Sequence, residues 1–223
     1  MLKCQFHIHV RGDPVDNIQY TAEEMILEAK RLNYDVLSIT CHKKVLYNEH
    51  LRKFAEEKEI LLLSGIELKL KRKDVLAINV DSEIEKIKNL EELREYKNNH
   101  PDCLIIAPHP FFPGFTSLKK DLEKNIDFFD AIDHSFCYTT TKNYNKKAIK
   151  LAEKYNKPLI ATSDCHILKH FDIGYTLIDA EKSTSSIKQA IIGQKLKNFH
   201  HPITYHQIAK MLLQMGWQNI FKN

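Results

Sequence analysis

Two histidines, His7 and His9, stand two residues apart in the run Cys4-Gln5-Phe6-His7-Ile8-His9-Val10. A strand repeats every two residues, so both imidazoles project from one face, which is what two ligands of one metal ion require. The bland alternative is an accidental pair among Phe6, Ile8 and Val10, which would bury two polar rings without partners at about 1–3 kcal/mol each. Further titratable groups end later apolar runs: Thr40-Cys41-His42, Gly65-Ile66-Glu67, Ala107-Pro108-His109-Pro110 and Thr162-Ser163-Asp164-Cys165-His166. Any one alone reads equally well as a cap or a satisfied core group, and Asp164 would suit a turn. Five in register do not. Imidazole nitrogens with carboxylate oxygens suit zinc, manganese or iron, and a carboxylate such as Glu67 can bridge two ions.

The elements that must position these groups alternate between short buried strands and amphipathic helices. Strands are predicted at 3–10, 35–40, 60–66, 75–80, 104–107, 129–133, 159–162 and 175–178. Helices are predicted at 21–32, where Thr21 and Glu24 form a capping box, and at 49–58, 91–98, 118–125, 143–155 and 183–192. This rhythm implies a parallel sheet with crossover helices, either open and doubly wound or closed. Seven or eight units favour closure, because a closed parallel sheet has no edges. In either form the C-terminal ends of the strands are where side chains converge to build a site. The tail 205–221 is an amphipathic helix with Ile208, Leu212, Met215 and Ile220 broadly on one side. It packs on the rest of the chain or meets a second subunit, and packing is the commoner use of such a stripe.

Composition bounds the function classes. A chain of 223 residues with 43% hydrophobic side chains supports one substantial core. No apolar run reaches membrane-span length, and the N-terminus lacks the apolar core of a signal peptide, so a cytoplasmic location is expected. The five cysteines, Cys4, Cys41, Cys103, Cys137 and Cys165, show no close pairing, which argues for reduced thiols and excludes a zinc ribbon. The formal charge of +4, from 33 basic and 29 acidic residues, suits an anionic substrate without demanding nucleic acid.

The ordered set HxH (His7, His9), TxH (Thr40, His42), GxE (Gly65, Glu67), PHP (Pro108, His109, Pro110) and SDxH (Ser163, Asp164, His166) resembles the PHP (polymerase and histidinol phosphatase) phosphoesterases. The resemblance spans residues 1 to about 180. It implies an α/β fold of a particular kind, a distorted (β/α)7 TIM-like barrel over 1–203, with 204–223 as a C-terminal helical tail. It also implies two or three divalent ions (Zn, Mn or Fe) at the C-terminal face. His7, His9, Glu67 and Asp164 would hold one ion, Glu67 would bridge to a second held also by His109, and His42 and His166 would hold a third. Three positions depart from the family pattern. Cys41 stands where Asp is usual and reads as an inert buried thiol. The acid after the first motif is Asp13 or Asp16, with Asp13 preferred as a ligand. Asp74, in Lys-Arg-Lys-Asp, replaces a histidine and reads more readily as exposed charge.

The implied activity is hydrolysis of a phosphoester by metal-activated water. Asp164 or a nearby histidine would take the water proton, with Glu67 holding the ions, and His134, at another strand end, would contact substrate or protonate the leaving group. Arg11 is a candidate clamp for a phosphate oxygen. His50, His100, His170, His200, His201 and His206 share no such register and read as surface or loop residues. The expected partner is a small phosphorylated molecule or nucleotide, and the end of a nucleic-acid strand would present the same bond; no membrane contact is expected. Two other readings are a metal-dependent amidohydrolase-like C–N hydrolase, whose pocket would need no phosphate clamp, and a non-catalytic metal-stabilised module of a nucleic-acid enzyme.

Overall fold

The computed structural model describes residues 1–220. In chain order the elements are β1 (Leu2–Gln5), α1 (Ala22–Arg31), β2 (Val36–Ser38), α2 (Glu49–Glu57), β3 (Leu61–Leu63), β4 (Gly65–Leu70), β5 (Lys73–Ile78), α3 (Leu90–Asn99) and β6 (Leu104–Ala107). They continue with α4 (Lys120–Lys124), β7 (Ala131–Ser135), α5 (Asn145–Tyr155), β8 (Leu159–Thr162), β9 (Gly174–Ile178), α6 (Thr184–Ile192), β10 (Leu196–His200) and α7 (Tyr205–Ile220). The helices start where the sequence supplies caps. Thr21 accepts from the Glu24 amide at 3.1 Å while Glu24 accepts from the Thr21 amide at 2.7 Å, an arrangement worth about 1 kcal/mol. The face that α1 then buries is Met25, Ile26 and Ala29.

The strands form two five-stranded sheets, in the orders β10-β9-β1-β2-β3 and β4-β5-β6-β7-β8. Pairing is parallel within β1-β2-β3 and β6-β7-β8, as the strand-helix rhythm predicts. It is antiparallel for β4-β5-β6 and where β9 meets β1 and β10. The predicted strand at 60–66 is in fact two strands in different sheets, divided at Ser64. The β4-β5 hairpin turns through Lys71 and Arg72, both with positive φ (46° and 73°), a conformation usually supplied by Asn-Gly, so its sequence carries no hairpin signal. β10 is a further strand that the pattern does not announce, since its residues are exposed or half-buried at a sheet edge.

Leu76, Ile78 and Ile106 of the second sheet pack in one cluster with Cys4, Val36 and Leu63 of the first, so the two sheets share a common apolar core. A second cluster joins α1 and α2 to the first sheet, and a third joins α3, α4 and α5 to the second. Two isolated parallel bridges link the sheets, Ile8 with Cys165 beyond the ends of β1 and β8, and His42 beyond the end of β2 with Glu67 near the start of β4. All five cysteines are free thiols. Among the described residues no helix is long and apolar enough to cross a membrane. The side chains of Leu212, Met215 and Ile220, part of the predicted stripe, lie outside the described residues; Ile208 is half-buried.

Candidate metal centre

Where β1 ends, the chain stays extended and is stitched to its neighbours. The Thr40 amide donates to Ile8 O (2.8 Å), the His9 amide to Cys165 O (3.1 Å) and the Glu67 amide to Cys41 O (3.1 Å). The segments after β1, β2 and β8 and the start of β4 are thereby locked side by side, although regular pairing stops at Gln5 rather than at Val10 as the sequence suggests. His7 and His9 still point the same way. Nε2 of each lies 3.2–3.4 Å from both Glu67 Oε2 and Asp164 Oδ1.

Glu67 is the hub. Its Oε2 also faces His42 Nε2 at 3.1 Å, while its Oε1 faces His109 Nε2 at 3.3 Å. His166 stacks on His9 with ring centroids 4.2 Å apart and directs Nε2 to Asp16 Oδ2 at 3.2 Å. His109 and Asp164 both have positive φ (57° and 44°), a conformation that costs a non-glycine residue about 1–2 kcal/mol and tends to survive where function requires it.

Three of the histidines share one wiring. His9 Nδ1 donates to Asp13 Oδ2 (2.8 Å), His42 Nδ1 to the same oxygen (3.0 Å), and His166 Nδ1 to Asp164 O (2.9 Å). With Nδ1 carrying the proton, a neutral ring turns the Nε2 lone pair towards carboxylate oxygens, so acceptors face acceptors. His9 Nε2 and Asp164 Oδ1 are buried with no hydrogen-bond partner. A buried group left this way costs about 1–3 kcal/mol, and a cation between the lone pairs removes the penalty. Donor separations near 3.3 Å also match the edge of a coordination shell with bonds of roughly 2.1 Å. The residues fit divalent ions, and several groups of three can hold one: His7-His9-Glu67, His7-His109-Asp164, His9-Asp13-His42, His9-Asp164-His166 and Glu67-Asp74-His109.

Without ions the histidines themselves answer the acidic charge. Burial alone would raise the Glu67, Asp164 and Asp13 carboxyls, but the surrounding imidazoles overrule it and hold all three well below the usual carboxylate range. Burial alone would lower His109 and His166, but Glu67 lifts the first to about 10, and Asp164 with Asp16 lifts the second to about 9. Asp133, which sequence reasoning passed over, is buried at the middle of β7, accepts from Thr162 Oγ1 at 2.9 Å and is pushed up to about 7 by that burial. Its only sequence signal was its position two residues before Ser135, on the inward parity of β7.

Not every expected residue arrives. Asp74 is not exposed charge: it is 4% accessible, beside Glu67 and His109, with Lys69 Nζ 3.1 Å away, because the β4-β5 hairpin turns it inward. Asp13 faces Nδ1 of His9 and His42, whereas Asp16 faces His166 Nε2. His134 does not join the cluster; strand alternation puts it on the other side of β7 from Asp133, stacked on His200. Arg11 is exposed and donates to Gln19 O, because the chain turns at Gly12 (φ 101°) and the period of two stops there. Cys41 is buried, accepting from the Val10 amide at 3.3 Å, and burial raises its thiol.

The cluster opens into a cavity of about 270 Å³. Asp16, His42, Glu67, Asp74, His109, Asp164 and His166 line it, together with Phe112, Thr116, the run Ser135-Phe136-Cys137, and Ile208 and Met211 of α7.

Residues 142–192, which include Asp164 and His166, match a family model described as PHP-associated. The fold is shared with a two-domain Bacteroides vulgatus ATCC 8482 protein containing a predicted PHP-like metal-dependent phosphoesterase (TM-score 0.72, 21% identity, 90% of this chain and 65% of that one). Its fold is PHP-like. Similar folds are also found in PsfC from Pseudomonas syringae PB-5123 (TM-score 0.68, 17% identity, 98% of each chain) and the lesion-specific endonuclease PfuEndoQ from Pyrococcus furiosus (0.58, 16%, 88% of this chain and 57% of that one). This chain thus spans about two thirds or less of the length of the Bacteroides and Pyrococcus proteins. No curated protein matches it.

Proposed function

We propose that this PHP-like chain is a metal-dependent phosphoesterase acting on a small phosphate ester or nucleotide. The observation that carries the reading is the split of Glu67, with Oε2 towards His7, His9 and His42 and Oε1 towards His109. A carboxylate so divided suits two neighbouring cations. His7, His9, Glu67 and Asp164 would hold one ion, Glu67, Asp74 and His109 a second, and His42 and His166, with Asp16 beside His166 Nε2, a third, with zinc, manganese or iron all suited to this donor set. Such ions acidify water and neutralise charge on phosphoryl oxygens.

The chain's own residues hold and orient. Asp13 fixes the tautomers of His9 and His42 through their Nδ1 atoms. Asp164, held ionised, is a better ligand than base, and Glu67, equally ionised, takes no proton. We assign no catalytic step to His134 or Arg11, which lie away from the cavity. The two isolated bridges support reading the sheets as a distorted seven-stranded barrel closed at its C-terminal rim, with 1–203 as the barrel unit and 204–223 as an added helix. Five free thiols favour a reducing compartment such as the cytoplasm.

A panel of phosphomonoesters, phosphodiesters and a nucleic-acid strand with a terminal phosphate, assayed with manganese, zinc and iron after chelation, tests the proposal. Turnover of at least one phosphoester, lost together with bound metal in Glu67→Gln, is the expected result. Silence across the panel from metal-loaded protein would overturn it. Since among the described residues neither Lys nor Arg lines the cavity, a C–N hydrolase is the second reading, and cyclic amides belong in the same panel.

A further inference from the structure

We infer that α7 and the segment after β7 build an apolar subsite beside the candidate metal centre, which selects phosphomonoesters of aromatic or other compact apolar alcohols. This inference deepens the phosphoesterase reading and rests on it for the phosphate end of the ligand. The start of α7 and the residues before it are fastened to the segment after β7. The Ile203 amide donates to Tyr138 O at 2.9 Å, Tyr205 Oη and Thr141 Oγ1 are 2.7 Å apart, and Thr204 Oγ1 accepts from the Gln207 amide at 3.1 Å. Ile208 and Met211, three apart on a helix, share a face, and both line the cavity.

Phe136 comes to the same cavity from the segment after β7, and Phe112 from the loop after β6, where its ring meets Tyr144 edge-on at 5.9 Å. Apolar side chains from three separate stretches therefore border the space into which the carboxylates and imidazoles open. An ordinary core would close over such groups, because native interiors leave few voids larger than water. Here a cavity of about 270 Å³ remains beside them, somewhat smaller than the roughly 300–1,000 Å³ of sites for drug-sized ligands.

Charge narrows the class further. None of the described residues lining the cavity is Lys or Arg, so beyond the centre itself nothing among them matches a second phosphate. Polyphosphates, bisphosphates and nucleic-acid backbones carry such extra charge and would lose solvation without a counter-ion. A single phosphate on an apolar alcohol suits both parts of the cavity.

Phenylphosphonate and methylphosphonate, whose P–C bonds resist hydrolysis, separate the two ends by calorimetric titration of the full chain loaded with manganese. The wild type is expected to bind phenylphosphonate on the order of tenfold more tightly. Ile208→Ala/Met211→Ala should erase that ratio while leaving methylphosphonate affinity and metal content unchanged, and Leu213→Ala, at an exposed position of the same helix, should preserve it. Equal affinities in the wild type, which need no variant, or a ratio that survives the double substitution, would overturn the subsite. Turnover of phenyl and methyl phosphates distinguishes the underlying reading. Preferential binding without any turnover sinks the phosphoesterase and spares the subsite; turnover of both esters with equal phosphonate affinities does the reverse. Failure of metal-loaded protein to bind either phosphonate sinks both.

Discussion

Asp13 accepts a 2.8 Å hydrogen bond from His9 Nδ1, four residues earlier in the chain, and so decides which nitrogen of His9 faces Glu67 and Asp164. The same carboxylate receives His42 Nδ1 and the His42 amide. Removing it frees both rings to rotate or change tautomer. Asp13→Ala should weaken metal binding by about 10–100-fold, read by competition with a chelator of known affinity, while His7 and Glu67 keep a residual site. Unchanged affinity would mean that Asp13 does not orient the rings.

Gly65 is the second point at which backbone dictates the site. A Cβ there would collide with Ser38 Oγ and lie 2.8 Å from Thr40 Cγ2 and 3.0 Å from Ile39 O, so β4 leaves its neighbour room only as glycine. Glu67 follows two residues later. Gly65→Ala should cost about 1–3 kcal/mol by overpacking, measured by urea unfolding, and should also lower metal stoichiometry in the protein that remains folded. A variant as stable and as fully loaded as the wild type would show that the gap closes without moving Glu67.

Much of this candidate centre was legible because its histidines and acids stand where apolar runs of the sequence give out. His7, His9, His42, Glu67, His109, Asp164 and His166 could all be named from position alone, and the structure brings them together. What failed depended on turns. Asp74 looked exposed because Lys71-Arg72-Lys73 reads as solvated charge, and nothing in it discloses a hairpin made with two positive φ angles. Arg11 looked usable because it stands just beyond the two first-strand histidines, yet the chain turns at Gly12 and leaves it exposed. His134 was misplaced for the opposite reason: being at a strand end was allowed to outweigh alternation, which puts Asp133 and Ser135 inward and His134 out. The apolar contribution of α7 was hidden too, since a stripe of Ile208, Leu212, Met215 and Ile220 predicts burial without naming what it borders, and Met211 stands outside it.

Cys41 occupies the place next to His42 where the family pattern has an acid, yet its surroundings are those of packing. It is fully buried, its sulfur accepts from the Val10 amide, and burial raises its pKa, which disfavours the thiolate that binds metal. Cys41→Ala should therefore lower stability by about 1–3 kcal/mol and leave metal content at the wild-type value, measured by elemental analysis of purified protein. Loss of metal at preserved stability would make the thiol a ligand after all.

His134 and His200 stack with centroids 3.6 Å apart on the outer side of β7, and Tyr138 Oη lies 2.8 Å from His200 Nδ1. Burial, reinforced by the charge of His200, lowers His134 to about 4, and burial lowers His200 as well. The unfolded chain, with an ordinary histidine pKa near 6.5, then binds more protons than the folded one between about pH 4 and 6.5. Stability from this pair is complete above that window and declines as pH falls through it, by on the order of 2 kcal/mol once solvent screening is allowed for. His109 and His166, lifted to about 10 and 9, act in the opposite sense at higher pH, so the pair is isolated by difference. Urea unfolding of wild type and His134→Phe in chelator, at pH 7.5 and pH 5, should show a smaller acid loss in the variant. Equal losses in the two proteins would mean that the stack takes up its proton without strain and that acid sensitivity originates in the metal centre.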